Sequence, residues 1–158
     1  MSAIDEPYEG RLAGPVHHYA LRVYFEDTDV AGIVYYANYL RFMERARSDM
    51  LRAIGVDQRA ALESGEGVYA VAEVSIRYHA PARLGDDLVI RTEIEGIRAA
   101  SVDIHQRVMR GDSLLADARV KAAFLTSDGR PQRQPRTWIE RFERLSRDGL
   151  GQEEKGEA

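Results

Sequence analysis

The sequence predicts an α+β domain, in which one long amphipathic helix packs against an antiparallel sheet of about five strands. Two patterns carry that expectation. Apolar residues recur at three- and four-residue steps over one long span only, Ala37 to Ile54, and elsewhere they alternate with polar residues in separate short runs. Length adds a bound, because 158 residues hold one ordinary core and not two.

The elements follow in chain order. Residues 1–17, with Gly10, Gly14 and Pro15 breaking any period, read as a flexible leader that includes His17. Residues 18–26 alternate Tyr19, Leu21, Val23 and Phe25 in one phase, which predicts a strand. The helix over 37–54 sets Leu40, Met43, Ala46, Met50 and Ile54 against a polar face of Arg41, Glu44, Arg45, Ser48 and Arg52, and Gly55 is its stop. Four strand-like runs follow at about 69–79, 87–96, 100–110 and 114–126, read as one meander with turns at 80–87 and 127–130. A short helix is expected over 134–145, begun near Pro135. The domain therefore covers 18–145, and 146–158 reads as a disordered tail. One helix cannot cover a whole sheet and its edges, so a homo-oligomer is expected.

Composition removes several function classes. A net charge of −4 opposes a nucleic-acid surface, which carries a basic excess. With no cysteine, thiolate metal sites, disulfides and a Cys nucleophile are excluded. No apolar run approaches the ~20 residues of a membrane helix and no signal peptide opens the chain, so a cytoplasmic protein without membrane insertion is expected. The four histidines show no ligand spacing, "SGEGVYA" is followed by no helix to bind phosphate, and the hydrolase elbow and P-loop motifs are absent. No metal and no cofactor are implied. Arg41, Arg45, Arg47 and Arg52 read as a solvated face paired with Glu44 and Asp49.

The informative stretch is the strand-to-helix junction, where Glu26, Asp27 and Asp29 precede Gly32. The helix start near Tyr36 to Asn38 offers N–H groups with partial positive charge. A carboxylate beside such an oxyanion site suits acyl chemistry, because an ordinary Asp, pKa ~3.9, is ionised at neutral pH. A purely structural bend, with the acids capping backbone N–H groups, is the other reading.

"EDTDVAGIVYYANYLRFMERARSDMLR", with "YHAPARLGDDLVIRTEI" downstream, resembles the signature of the 4-hydroxybenzoyl-CoA thioesterase family. The similarity is greatest to its bacterial Tol-Pal-associated acyl-CoA thioesterase branch, and it spans about residues 18–145. It implies a hot-dog fold, dimers or tetramers with sites at the dimer interface, and hydrolysis of a short-chain acyl-CoA or aroyl-CoA. It places Asp29 as the catalytic carboxylate and the Tyr36 N–H as the polarising donor, with Gly32, Ile33, Val34, Asn38 and Arg98 around the substrate. Tyr36 stands where many members of that branch have histidine, and only Arg98 remains of a phosphate-gripping cluster in the 4-hydroxybenzoyl branch. Asp27 is the structural member of the pair, and Glu44 is a secondary carboxylate candidate. The alternative is a non-catalytic hot-dog adaptor for an acyl carrier protein or an envelope-machinery partner.

Overall fold

The computed structural model describes residues 2–147, so the expected tail lies outside the described residues beyond Arg147. The strands are β1 (Arg11–Ala13), β2 (Val16–Arg22), β3 (Val68–Tyr78), β4 (Asp87–Ile97), β5 (Ser101–Arg110) and β6 (Ser113–Leu125). The helices are α1 (Asn38–Ala53), α2 (Gln58–Ser64) and α3 (Arg136–Arg147). The α+β hot-dog expectation holds, with six strands in place of five in the order β1-β2-β4-β5-β6-β3, every pair antiparallel.

One connection differs from the expected meander. β3 pairs with β6, and β4 with β2 and β5, so the chain leaves the β3 edge and crosses the end of the sheet over residues 79–86. Alternation establishes that a strand exists and which face is dry, but it carries no information about the partner. The crossover's Ala82 is fully buried, and its N–H donates to the Tyr39 hydroxyl at 3.0 Å.

α1 lies on one face of the sheet. Its Tyr39, Phe42, Met43 and Ala46 pack with Leu88, Ile90, Val108 and Ala118, while Met50 and Leu51 join Ile104, Val120 and Phe124 further along. Gln106, fully buried between them, donates to the Met43 carbonyl and Thr92 Oγ1 and accepts from Arg47, which satisfies the polar groups that this seam buries. Trp138, Phe142 and Leu145 of α3 close the far end. Burial of the last two is worth roughly 1.5–3 kcal/mol each. Leu40, expected inside, is 43% exposed.

The N-terminal reading changes. Residues 11–13 and 16–22 form a hairpin, so the sheet begins inside the expected 1–17 leader. His17 is fully buried, with Nε2 donating to Asp49 Oδ2 on α1 at 2.7 Å, and the Gly10 N–H donates to the same oxygen at 2.8 Å. Nδ1 is buried without a partner, so a second ring proton would have no acceptor. Burial holds the His17 pKa below its ordinary value despite the opposing pull of Asp49. The folded ring therefore stays neutral to lower pH than the ring of the unfolded chain, which takes a proton below about pH 6.5. More protons bound when unfolded means stability is full above that pH and declines beneath it. The melting temperature should fall between about pH 7 and about pH 5, and less steeply in His17→Gln, which has nothing to titrate there. Equal slopes in thermal melts of the two proteins would remove His17 from the account.

Candidate active site

The strand expected to run through residue 26 ends at Arg22, and Phe25–Asp27 forms a single 3-10 turn. That turn reverses the alternation, leaving Phe25 83% exposed. Asp27 holds it closed, because its Oδ2 accepts the Tyr24 N–H at 2.8 Å. The Asp27 carbonyl then accepts the Tyr35 N–H at 3.0 Å and the Asn38 side-chain amide at 2.8 Å. Asp27 is thus occupied with backbone geometry.

Asp29 begins a tight loop. Thr28 bridges Val34, the Asp29 N–H donates to the Ile33 carbonyl at 2.9 Å, and the Gly32 N–H donates to the Asp29 carbonyl at 3.1 Å. Gly32 sits at φ +77°, a conformation that costs glycine least, with open space where a Cβ would be. Its role is to turn the chain, since its N–H and carbonyl are both taken, the carbonyl by the Leu84 N–H at 3.1 Å. Asp29 Oδ1 accepts the Ala31 N–H at 2.9 Å, while Oδ2 meets no protein donor among the described residues. The carboxylate is exposed, one oxygen fixed and one free.

The other arm of the loop leads into α1. The N–H groups of Asn38, Tyr39 and Leu40 donate three residues back, to the carbonyls of Tyr35, Tyr36 and Ala37. Those bonds tighten the first turn and leave the Tyr36 and Ala37 N–H groups without a protein acceptor among the described residues. Asn38, expected to offer an N–H and to contact substrate, directs both its N–H and its side-chain amide to the loop. Val34, also expected around the substrate, is 3% exposed in the core, and its N–H donates to Ala82. Ile33 is half-buried and bridged to Arg83.

Tyr78, at the end of β3, was not singled out by any sequence signal. Its hydroxyl donates to the Tyr36 carbonyl at 3.1 Å, and its ring meets those of Tyr36 and Tyr39 edge-on. Burial, with smaller contributions from Tyr39 and Tyr36, raises the Tyr78 pKa, so the donor stays protonated. Tyr35, Tyr36 and Leu40 around it are exposed.

Arg98 is not brought to this site within the chain. It lies in the β4–β5 hairpin, at the other end of the sheet from Asp87 and the Asp29 loop, and pairs with Asp103 at 3.0 Å. The α1 arginines also differ from expectation. Glu44 accepts the Ser48 hydroxyl and Asp49 binds His17, so Arg41, Arg45 and Arg52 form no ion pair among the described residues. Among those residues no three His, Asp or Glu side chains converge as a metal site, and no helix is long and apolar enough to cross a membrane.

Known proteins place this geometry. The chain is 40% identical over 105 residues to the acyl-CoA thioesterase YbgC of Haemophilus influenzae, covering 66% of this chain and 77% of that protein. A probable thioesterase from Bartonella henselae superposes with a TM-score of 0.72 at 34% identity, over 76% of this chain and all but 1% of that one, which it covers to 99%. A 4-hydroxybenzoyl CoA thioesterase variant crystallised with 4-hydroxybenzoyl CoA superposes with a TM-score of 0.74 at 25% identity, over 80% and 98% of the two chains. The sequence pattern of the thioesterase-like superfamily matches residues 23–145, which takes in the Asp29 loop, α1 and the sheet from β3 to β6, and to that superfamily the chain belongs.

Proposed function

We propose that this protein hydrolyses acyl-CoA thioesters to the free acid and CoA, with Asp29 and the Tyr36 N–H as its reaction centre. The observation that carries the reading is the unspent Tyr36 N–H at the start of α1, on the loop arm opposite an exposed carboxylate with one free oxygen. The thioester carbonyl accepts from Tyr36, and the positive end of α1 stabilises charge as it develops on that oxygen. Asp29 Oδ2 attacks the carbonyl carbon to give a mixed anhydride that water opens, or takes a proton from water as it attacks. In both routes the C–S bond breaks and CoA leaves as the thiolate. Label found in the Asp29 carboxylate after a single turnover in oxygen-labelled water identifies the anhydride route, opened by water at the Asp29 carbonyl, since the water-activation route places label only in the product acid. Free-thiol release from a panel of acyl-CoAs tests the function, and no turnover of any member returns the chain to the adaptor reading.

The reaction centre works in a homodimer formed through β3. This strand is a full edge of the sheet, and it leaves Val71, Val74 and Tyr78 exposed. Pairing two β3 edges antiparallel about a two-fold axis brings the 68–71 end of one copy beside Tyr78 of the other. The same operation carries the Arg98 hairpin of a second copy to the end of the sheet that holds Asp29. Arg98→Ala is then expected to raise KM for acyl-CoA with little change in kcat, because uniform binding to the nucleotide is lost. A small pantetheine thioester should be unaffected, and an unchanged KM for acyl-CoA would leave Arg98 as a surface partner of Asp103 only.

A further inference from the structure

Tyr78 is the last residue of β3, and the sheet holds the backbone on both sides of its ring. It pairs with Ala116, and the Leu115 carbonyl accepts the His79 and Ala80 N–H groups at 2.8 and 3.2 Å. From that anchor the ring lies edge-on against Tyr36 and Tyr39, with centroids 6.4 and 5.2 Å away, and the hydroxyl reaches the Tyr36 carbonyl at 3.1 Å. The bond answers no unmet need at either end. The carbonyl already accepts the Tyr39 N–H, and Tyr78 is 44% exposed, so water can serve its hydroxyl.

The two peptides that open α1 differ in how they are held. The carbonyl of the peptide linking Tyr35 to Tyr36 accepts the Asn38 N–H at 2.8 Å, an ordinary length. That of the peptide linking Tyr36 to Ala37 accepts the Tyr39 N–H at 3.3 Å, beyond the usual range, and Tyr78 supplies the shorter bond from outside the helix. The N–H groups of these two peptides belong to Tyr36 and Ala37, the pair that meets no protein acceptor among the described residues. A peptide whose carbonyl accepts a further hydrogen bond is more polarised, so its N–H becomes the stronger donor. We propose that Tyr78 is a positioning residue for the reaction: its hydroxyl fixes and polarises the Tyr36–Ala37 peptide, so that the Ala37 N–H joins the Tyr36 N–H on the oxygen where charge develops. The inference rests on the thioesterase reading and adds to it a second donor and the side chain that tunes it. Burial, with Tyr39 and Tyr36 adding to it, raises the Tyr78 pKa, so the hydroxyl remains a donor across the neutral range.

The test follows thiol release by the full chain from an acyl-CoA that the parent hydrolyses. Tyr78→Phe keeps the ring and removes the hydroxyl. It should lower kcat about tenfold, part of the ~10²–10³ that loss of an oxyanion donor itself costs, with KM and melting temperature near the parent's. Because Tyr78 transfers no proton, the ratio of parental to variant kcat should be constant from about pH 6 to about pH 9. A fluorinated tyrosine in place of Tyr78, a stronger hydroxyl donor, should match or exceed the parental kcat at about pH 6. Lactic acid in place of Ala37 turns its peptide into an ester and removes that one N–H. It should lower kcat about a hundredfold, and Tyr78→Phe should add little in that background, because both changes act through the same group. Full kcat in Tyr78→Phe, a loss confined to KM, or a ratio that changes with pH would overturn the positioning role. An ester variant at the parental rate, or losses that add in full, would overturn the second donor. Each of these leaves the thioesterase reading in place, whereas a parent protein inactive on every acyl-CoA overturns that reading and this inference together.

Discussion

Asp29→Asn should lower kcat for acyl-CoA hydrolysis by about a hundredfold or more, on the scale of a lost nucleophile or general base, with a melting temperature near the parent's. The amide keeps the Oδ1 that accepts the Ala31 N–H, so the loop keeps its shape. What disappears is the negative charge on the oxygen that faces no protein donor. Asp27→Asn removes a charge two residues away with a different result. Its oxygen still accepts the Tyr24 N–H, and its carbonyl still holds Tyr35 and Asn38, so measurable turnover should remain. Thioester cleavage and thermal melts on both variants decide the matter. Full activity in Asp29→Asn would refute the assignment, and an inactive but stable Asp27→Asn would transfer the chemistry to Asp27.

Val74→Asp should convert the protein from a dimer of about 36 kDa, twice the 17.8 kDa chain, into an inactive monomer. Val74 stands 44% exposed near the middle of the edge strand. Two-fold pairing brings the two copies of this position close together, where like charges repel and apolar contact is lost. Each monomer keeps Asp29 and Tyr36, so loss of turnover tracks loss of the second copy rather than damage to the reaction centre. Light scattering and thiol release on the same samples test both halves. A parent that is monomeric and active at micromolar concentration would remove the interface model, and an active monomer of Val74→Asp would do the same.

Much of this was legible in the sequence, because it depended on period and local chemistry. Val102, Ile104 and Val108 alternate as the inner face of β5, and Ala118, Val120, Ala122 and Phe124 as that of β6. The Asp29 loop and the start of α1 were visible as a motif. The parts that escaped are those that distant contacts decide. β1 is three residues closed by Gly14 and Pro15, too short to show a period, and it forms because β2 is beside it. α2 buries only Ala61 among its residues, so it presents no apolar stripe. His17 looked like part of a leader because its partner, Asp49, lies on a helix far along the chain. Asn38 and Val34 belong to the same motif, and distant contacts decide that the first bonds the loop and the second enters the core. A cleft of about 130 Å³ beside α1 was invisible because its lining comes from three helices and three strands, joined only by the fold.

The crossover from β3 to β4 ties the two halves of the protein's activity to one another. Along residues 79–86 the chain accepts the Val34 N–H at Ala82, donates from Leu84 to Gly32, and joins Val23 through Gly85 and Asp86, so it is the backing on which the reaction loop rests. It is also the direct continuation of the strand that a second copy would cover. Amide exchange at Val34 and Leu84 therefore requires the crossover to lift, and lifting it frays the end of β3. Capping that edge with another chain raises the free energy of the same local opening. In the dimer proposed above, association would slow proton exchange in a loop that the second copy need not touch, and dilution to single chains would leave the proposed reaction centre looser even where the fold is complete.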